Sequence, residues 1–383
     1  MSITVPAGFR AAGVTAGLKP SGRPDLAVVV NDGPDHYGAA VFTSNRVQAA
    51  PVTWSRHVLS DGRVDAVVLN SGGANACTGA AGFADSQRSA EHLAAALGVA
   101  PWDVAVASTG LIGELLPMDK ITAGIDLAVA GLSPTGGGAA ATAIMTTDTV
   151  DKQALATGPG WSVGGMAKGA GMLAPALATM LVVITTDAVA GAGVLQTALT
   201  DATETTFDRI DSDGCMSTND TVLLMSSGAS GITASAAQLR DALSVVCADL
   251  ARQLIADAEG AHHDIEIEIR DAAGVPDALE VGRAIARNNL FKCAVFGDDP
   301  NWGRVLAAVG TTRAAFDPAT LDVSINGIQV WHAGGVGQDR ALIDMGARAV
   351  HVVVDLHAGE QTATIWTNDL THEYVHENSA YST

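Results

Sequence analysis

The stretch Met166-Ala-Lys-Gly-Ala-Gly-Met-Leu-Ala-Pro-Ala-Leu-Ala-Thr-Met-Leu-Val-Val-Ile184 joins a lysine and several glycines to an apolar run that starts just after Thr179. Because glycine permits sharp turns and close backbone approach, the first part of this stretch indicates a loop. Residues 182–184 indicate a buried strand, although so short an apolar run also fits a buried helix. The stretch therefore predicts a hydroxyl at the edge of a strand, beside a glycine-rich loop and a cation.

Thr179 is the chemically interesting residue of this stretch. A threonine hydroxyl is a weak nucleophile unless a base lies beside it, and the nearest base is its own α-amine once the bond to Ala178 is cut. Such an amine ordinarily has a pKa of about 7.7–8.0, which suits a general base near neutral pH. Ala178 is small enough to leave that bond accessible. Local chemistry alone nevertheless favours an ordinary strand threonine, because threonine is enriched in strands.

Composition limits the classes of function. The formal net charge of −20, from 41 acidic and 21 basic residues, argues against nucleic acid and against an anionic membrane surface as partners. No secretory signal is visible and no apolar stretch reaches the ~20 residues of a transmembrane helix. The four cysteines are scattered without CxxC pairs, as is typical of reduced thiols rather than of disulfides or a zinc site. We therefore expect a soluble cytoplasmic protein.

The hydrophobic patterning predicts a mixed fold. A chain of 383 residues with 48% hydrophobic residues favours two or three packed subdomains. Helices are predicted over 86–97 and 235–259, and loops over 135–138 and 190–193. Strands are predicted over 27–31, 66–70, 104–108, 180–185, 221–225, 263–270, 323–331, 351–356 and 363–367. Because strands and helices do not alternate regularly, this order favours a layered α+β sandwich over a doubly wound sheet.

Several blocks of the sequence resemble one known family in the same order. Lys168-Gly-Ala-Gly-Met172 with Ala178-Thr-Met-Leu181 is similar to the self-cleavage signature of the ornithine acetyltransferase family of arginine biosynthesis. The other similar blocks are Asn70-Ser-Gly-Gly-Ala-Asn-Ala-Cys-Thr-Gly79, Ser108-Thr-Gly110, Ile144-Met-Thr-Thr-Asp-Thr149, Asp213-Gly-Cys-Met-Ser-Thr-Asn-Asp-Thr221 and Gly297-Asp-Asp-Pro-Asn-Trp-Gly-Arg304. The resemblance implies an α/β fold, the self-processing ornithine acetyltransferase-like fold. It also implies self-cleavage between Ala178 and Thr179 into chains 1–178 and 179–383.

The resemblance assigns roles to particular residues. Thr179 is the implied nucleophile, and Thr109 and Gly110 are the implied oxyanion hole. The implied substrate-binding residues are Thr146, Lys168, Thr179, Glu259, Asn378 and Thr383. No metal or cofactor is implied.

Bland interpretations remain open for several of these positions. A strand followed by Thr109 and Gly110 is more often simply a turn, and Thr147 competes with Thr146 for the substrate contact. The bland interpretation of Lys168 is a solvated loop lysine, although the scarcity of lysine and the glycine setting weaken it. Because a loop lysine contributes little burial, replacement of Lys168 by alanine is expected to leave the melting temperature within a few degrees. Glu259 is placed at the end of a predicted helix, where a carboxylate is disfavoured unless something compensates for it, and solvent exposure is the simple explanation.

The resemblance implies that an acetyl group moves from N2-acetylornithine to glutamate through an acetyl-threonine, in ping-pong order, by an α2β2 assembly. One alternative is a bifunctional form that also uses acetyl-CoA. Another is a related self-processing amidohydrolase in which water accepts the acyl group. The alternative from a different class is a non-catalytic binding or scaffold protein with a metal on His351, Asp355 and His357, which would share one face of a strand.

Overall fold

A computed structural model describes residues 3–174 and 180–380 of the chain. By their internal contacts these residues fall into two units. The first unit comprises the described residues up to Asp208 together with Cys215–Asp257, and the second comprises Arg209–Gly214 and the described residues from Ala258 onward. The proposed cleavage products 1–178 and 179–383 are a different division, which stays a prediction.

The first unit carries two sheets and their helices. Its described strands are β1 (Phe9–Val14), β2 (Leu26–Asn31), β3 (Tyr37–Phe42), β4 (Ala66–Asn70), β5 (Val104–Ser108), β6 (Lys152–Gly158), β7 (Trp161–Lys168), β8 (Leu181–Thr186) and β9 (Thr221–Ser226). Its described helices are α1 (Ala50–Val58), α2 (Gly79–Leu97), α3 (Met118–Ala130), α4 (Gly137–Ala143), α5 (Ala192–Glu204) and α6 (Ala236–Ala256).

These elements stack in four layers. One sheet has the order β1-β2-β4-β5 and the other the order β3-β9-β8-β7-β6. A core of small and branched side chains from both sheets and from α4 fills the space between them. Helices α1, α2 and α3 cover the outer face of the four-stranded sheet, while α5 and α6 pack against strands of the five-stranded sheet. The predicted layered sandwich and α/β class are therefore confirmed.

Helix α6 packs closely on strand β7 because of a glycine. A Cβ added to Gly165 would lie 2.7 Å from the side chain of Val246 and 2.9 Å from that of Leu250. Any side chain at Gly165 would therefore push the helix away from the strand. The helix itself starts at a capping box, in which Ser235 and Gln238 each accept a hydrogen bond from the other's backbone N–H.

The second unit contains one mixed sheet. Its described elements are β10 (Asp264–Ala272), α7 (Val275–Ala286), α8 (Asn289–Phe296), α9 (Trp302–Val309), β11 (Asp322–Ile325), β12 (Ile328–His332), β13 (Gly335–Val336), β14 (Ala349–Asp355), β15 (Gln361–Asn368) and α10 (His372–Ala380). The strand order is β13-β12-β11-β14-β10-β15, with β10 and β14 parallel. Alternate residues of β10 are buried, as the strict alternation of its sequence predicts.

Three local predictions were wrong. The single strand expected over 323–331 is the hairpin of β11 and β12, because Asn326 and Gly327 both adopt positive φ and reverse the chain. The loop expected over 135–138 ends at the start of α4, and the loop expected over 190–193 ends at the start of α5. In both cases the glycines lie at a helix start, where the local sequence has the composition of a loop.

Within residues 3–174 and 180–380, no helix is both long enough and apolar enough to span a membrane.

Candidate active site

Thr109 lies directly after strand β5 and is almost fully buried, at 3% exposure. Its N–H donates to the carbonyl of Asn70 at 3.0 Å, and its own carbonyl accepts from the N–H of Gly73 at the same distance. Both backbone groups of Thr109 are thus hydrogen-bonded to the end of the parallel strand β4 and to the loop that follows it. The hydroxyl of Thr109 accepts a hydrogen bond from a side chain, since Lys168 Nζ donates to it at 3.4 Å.

Gly110 has a φ of 128°, a value that residues with a Cβ rarely adopt. A Cβ at this position would lie 2.8 Å from the backbone nitrogen of Gly73. Glycine is therefore required at this turn for two reasons, conformation and space. The turn brings the peptide after Thr109 close to the chain that follows Asn70.

Lys168 is a buried strand residue, so the expectation of a loop lysine with little burial was wrong. It is the last residue of β7, it pairs with Leu181 of β8, and it is 1% exposed. The strand continues to this point because β8 satisfies its backbone, and the glycine-rich turn starts only at the next residue. Burial of an ammonium is costly unless it is compensated by opposite charge, which makes its charged neighbours important.

Asp148 supplies such a charge, because its carboxyl interacts electrostatically with Lys168. It is 2% exposed, and its Oδ1 accepts from Lys152 Nζ at 2.7 Å and from the N–H of Gly169 at 2.6 Å. Its Oδ2 accepts from the N–H of Thr146 at 2.9 Å. Burial acts to raise the pKa of this carboxyl, but Lys168, Lys152 and the hydrogen bonds outweigh it and lower the pKa to about 2. The side chain is therefore a carboxylate throughout the physiological range.

Lys152 is the second buried lysine of this cluster. Its side chain is fully buried and forms ion pairs with Asp148 at 2.7 Å and with Asp257 at 2.6 Å. Asp257 in turn accepts from the backbone N–H of Thr149 at 3.0 Å. Asp148 therefore holds the backbone of Thr146, Asp257 holds that of Thr149, and the two carboxylates share Lys152.

The predicted substrate residues Thr146 and Thr147 are both half-buried. The contact of Thr146 with Asp148 is made by its backbone N–H and involves neither hydroxyl, so the choice between the two hydroxyls stays open as a prediction.

The predicted cleavage site and nucleophile, Ala178 and Thr179, lie outside the described residues, as does the predicted substrate residue Thr383. The next described residue, Met180, donates its N–H to Oδ1 of Asp220 at 3.1 Å. Asp220 is fully buried, and this burial raises the pKa of its carboxyl well above the usual range. A buried acid thus anchors the start of the chain that leads into β8.

The second unit contains the predicted substrate residues Glu259 and Asn378. Asn378 Nδ2, on helix α10, donates to Glu259 Oε2 at 2.9 Å. The expected position of Glu259 at a helix end was wrong, because α6 stops at Ala256 and Glu259 lies in the turn that follows. The helix-dipole argument for a compensating cation therefore does not apply, whereas the contact with Asn378 brings the two predicted residues together.

The strand triplet considered as a metal site does not form as expected. Strand β14 ends at Asp355, and His357 follows with a φ of 48°, so the alternation is broken before it. His351 Nε2 contacts Glu268 at 3.2 Å instead. In the part of the chain that the structure describes, the side chains close enough to share an ion are Asp271, Asp355 and His357.

Comparison with known proteins decides the family. A model described as the ArgJ family matches residues 10–383. The chain belongs to the ArgJ family. It is similar to the arginine biosynthesis bifunctional protein ArgJ of Streptomyces avermitilis, with 64% identity over 382 residues and 100% of each chain covered. The protein of the same name from Thermobifida fusca is 62% identical over 383 residues, again with 100% of both chains covered.

Among solved structures, an ornithine acetyltransferase complexed with ornithine from Mycobacterium tuberculosis is 56% identical. The match covers 47% of this chain and 96% of that chain, with a TM-score of 0.45. Membership of the ArgJ family confirms the resemblance seen in the sequence. It also confirms the predicted class of enzyme, an acyltransferase of arginine biosynthesis.

Sequence reasoning assigned no role to Asp148, Lys152 or Asp220, although Asp148 and Asp220 both stand in the motifs that carry the resemblance. The spacing of four residues between Asp148 and Lys152 is a sequence signal for an ion pair. Opposite charges at that spacing normally indicate a solvated helix face, and nothing local indicates that they are buried.

Proposed function

We propose that this member of the ArgJ family transfers the acetyl group of N2-acetylornithine to glutamate, with ornithine and N-acetylglutamate as products. The observation that carries the proposal is the buried contact between Lys168 and Thr109, a cation beside a hydroxyl at the ends of two strands. Such a pair suits a substrate that carries both a carboxylate and a carbonyl. The names of the relatives, which place them in arginine biosynthesis, support the same reaction.

The proposed chemistry begins with self-cleavage. The hydroxyl of Thr179 attacks the carbonyl carbon of Ala178, the peptide C–N bond breaks, and the acyl group moves from nitrogen to oxygen. Water then hydrolyses this ester, which leaves a carboxylate on Ala178 and a free α-amine on Thr179. In the proposal, chains 1–178 and 179–383 stay together as an α2β2 assembly in the cytoplasm.

The transfer itself proceeds through an ester on Thr179. Its α-amine takes the hydroxyl proton as the oxygen attacks the acetyl carbonyl, and ornithine leaves with a proton on its amine. Glutamate then attacks the acetyl ester, and the hydroxyl is restored. Because the acetyl group passes from amide to ester to amide, the proposed route uses no cofactor.

The remaining residues have binding roles in the proposal. Thr109 and Gly110 stabilise the oxyanion, and Lys168 binds the α-carboxylate as a point charge. Thr146, Glu259, Asn378 and Thr383 contribute to substrate binding, and the hydrogen bond between Glu259 and Asn378 supports a joint role for that pair. A lysine and a glutamate among the binding residues favour an amino-acid acceptor over water, and hence a transferase over an amidohydrolase.

A second donor is favoured by one observation. The relatives that cover the whole chain are named bifunctional proteins. We therefore include acetyl-CoA as a second acetyl donor in the proposal. An assay of acetyl-CoA with glutamate, run beside acetylornithine with glutamate, separates the two activities.

Ping-pong kinetics are the test of the proposed function. Because one hydroxyl holds the acetyl group between donor and acceptor, ornithine must leave before glutamate binds, and double-reciprocal plots should give parallel lines. Acetylornithine alone should add the mass of one acetyl group to the fragment that starts with Thr179. Intersecting lines together with no acetylated fragment after rapid quenching would mean direct transfer in a ternary complex.

Replacing Thr109 with alanine should slow acetylation of the enzyme on the order of a hundredfold, because one oxyanion donor is lost. Thr109→Ser is the matched control, since it keeps the hydroxyl and should retain most of the rate. Single-turnover acetylation followed by mass spectrometry measures both variants. An alanine variant within threefold of the wild-type rate would remove Thr109 from the proposed oxyanion hole.

A further inference from the structure

Asp148 is a buried side chain of the candidate site that makes several contacts but has no role in the proposed reaction. Its carboxylate accepts hydrogen bonds from Lys152 and from two backbone N–H groups while it is 2% exposed. Two of these bonds come from backbone N–H groups, that of Thr146 and that of Gly169. The first belongs to a residue proposed to bind substrate, and the second belongs to the residue that follows Lys168. One side chain thus fixes two segments of the proposed binding site.

The charge of Asp148 is as important as its geometry. The cluster contains two buried lysines, Lys152 and Lys168, whose ammonium groups repel each other. Asp148 lies next to both: it forms an ion pair with Lys152, and Lys168 is the strongest of the charges that keep it ionised. Lys152 has a second partner in Asp257, which accepts from the backbone N–H of Thr149.

We infer that Asp148 is a positioning residue for acetyl transfer, which holds the backbone of Thr146 and of Gly169 so that the neighbouring side chains bind the amino-acid substrate. This inference rests on the proposed function. The inference assigns Asp148 no contact with the substrate. Without its charge, the N–H groups of Thr146 and Gly169 lose their common acceptor, and Lys152 and Lys168 lose a negative charge that acts on both. The residues proposed to bind the substrate carboxylate are then no longer held in position, although the nucleophile and the oxyanion donors are intact.

The two aspartates around Lys152 provide a matched test. Asp148→Asn keeps the size of the side chain but exchanges one acceptor oxygen for a donor NH2 group, so it cannot accept all three bonds. Asp257→Asn weakens the ion pair of the same lysine and leaves the contacts of Asp148 in place. We expect Asp148→Asn to raise KM for acetylornithine and for glutamate at least tenfold, with kcat changed less than KM. For Asp257→Asn we expect KM within about twofold of the wild-type value.

Folding and self-cleavage are controlled in the same experiment. Thermal unfolding reports the stability of each variant, and a denaturing gel gives the cleaved fraction to which all rates are normalised. If Asp148→Asn does not accumulate as folded protein, Lys152→Met with Asp148→Asn is compared with Lys152→Met alone. Removal of both members of a buried pair is less destabilising than removal of one, so the double variant should fold. Its KM should still exceed that of Lys152→Met at least tenfold.

The outcomes separate the inference from the proposed function. A wild-type enzyme without acetyl transfer would contradict the proposed function. An active wild-type enzyme whose Asp148→Asn and Asp257→Asn variants have the same KM would contradict the positioning role alone. So would a double variant whose KM matches that of Lys152→Met. A rise in KM confined to the variants of Asp148 supports the role.

Discussion

Purified Thr179→Ala protein should be a single uncut chain with no measurable acetyl transfer. The substitution removes the hydroxyl that is proposed to attack the carbonyl of Ala178, so self-cleavage has no nucleophile. It also removes the proposed carrier of the acetyl group. Loss of a catalytic nucleophile lowers kcat on the order of a million-fold in a well-studied hydrolase, which would place this variant below detection. Intact mass spectrometry and the acetylornithine–glutamate assay measure the two effects.

Two threonine variants provide the controls for this prediction. Thr179→Ser keeps a hydroxyl at the same position and should give two fragments, with residue 179 as the new N-terminus, and retain activity. Thr185→Val changes an ordinary strand threonine of β8, which is fully buried and donates its hydroxyl to the carbonyl of Ile3 at 2.6 Å. Loss of that hydrogen bond should cost about 1 kcal/mol of stability and leave cleavage complete.

The opposite pattern would contradict the proposal. Wild-type protein that is fully active as one uncut chain would exclude cleavage as a requirement for activity. Cleavage at another bond would place the nucleophile elsewhere. An active Thr179→Ala variant would make Thr179 an ordinary threonine, which is what the local sequence alone favours.

The elements that the sequence predicts well are those with a strong local pattern. Strands β4 and β5 occupy the predicted residues 66–70 and 104–108, and helix α6 lies within the predicted range 235–259. In α6 the apolar stripe from Leu239 to Leu254 is buried, as its helical spacing requires. Such an apolar stripe predicts burial even when the element that packs against it is unknown, because the stripe is buried in any hydrophobic core.

Strands β6 and β7 could not be predicted in the same way. They contain lysines, glycines and alanines, which have low strand propensity, and they form strands because β8 pairs with β7 and β6 pairs with β7 in turn. The same pairing buries Lys152 and Lys168 inside the protein. Their burial and their charged partners follow from tertiary contacts, which the local sequence does not indicate. The hairpin at Asn326-Gly327 is different, because Asn-Gly is a hairpin-turn signal that the sequence itself carries.

The burial of Lys168 changes what its replacement should do. Lys168→Met keeps an apolar chain of similar length and removes the ammonium that contacts Thr109 and influences Asp148. Removal of one member of a buried charged group typically costs about 3–5 kcal/mol, so a clear fall in melting temperature replaces the unchanged value that a loop position implied. Loss of a buried partner for the substrate carboxylate should cost about 4 kcal/mol more in transition-state binding. That corresponds to a fall in kcat/KM on the order of a thousandfold.

Lys152→Met separates the two effects, because Lys152 is the matched buried lysine of the same cluster. It shares Asp148 as a partner and is as deeply buried, but no substrate contact is proposed for it. Both variants should therefore lose stability to a similar degree. Only Lys168→Met should lose activity by orders of magnitude, whereas Lys152→Met should keep kcat/KM within about tenfold of the wild-type value. Rates are again normalised to the cleaved fraction, because Lys168 precedes the proposed cleavage site in the chain.

Comparison of the two lysine variants discriminates between a binding role and a structural role for Lys168. A loss of activity in Lys168→Met that is matched by Lys152→Met would assign both to the stability of the charged cluster. Full stability with full activity in Lys168→Met would contradict its burial as well as its role. A large loss of kcat/KM confined to Lys168→Met would leave one explanation, since the two variants remove the same charge from the same buried cluster. The ammonium next to Thr109 would then be the one that binds the substrate.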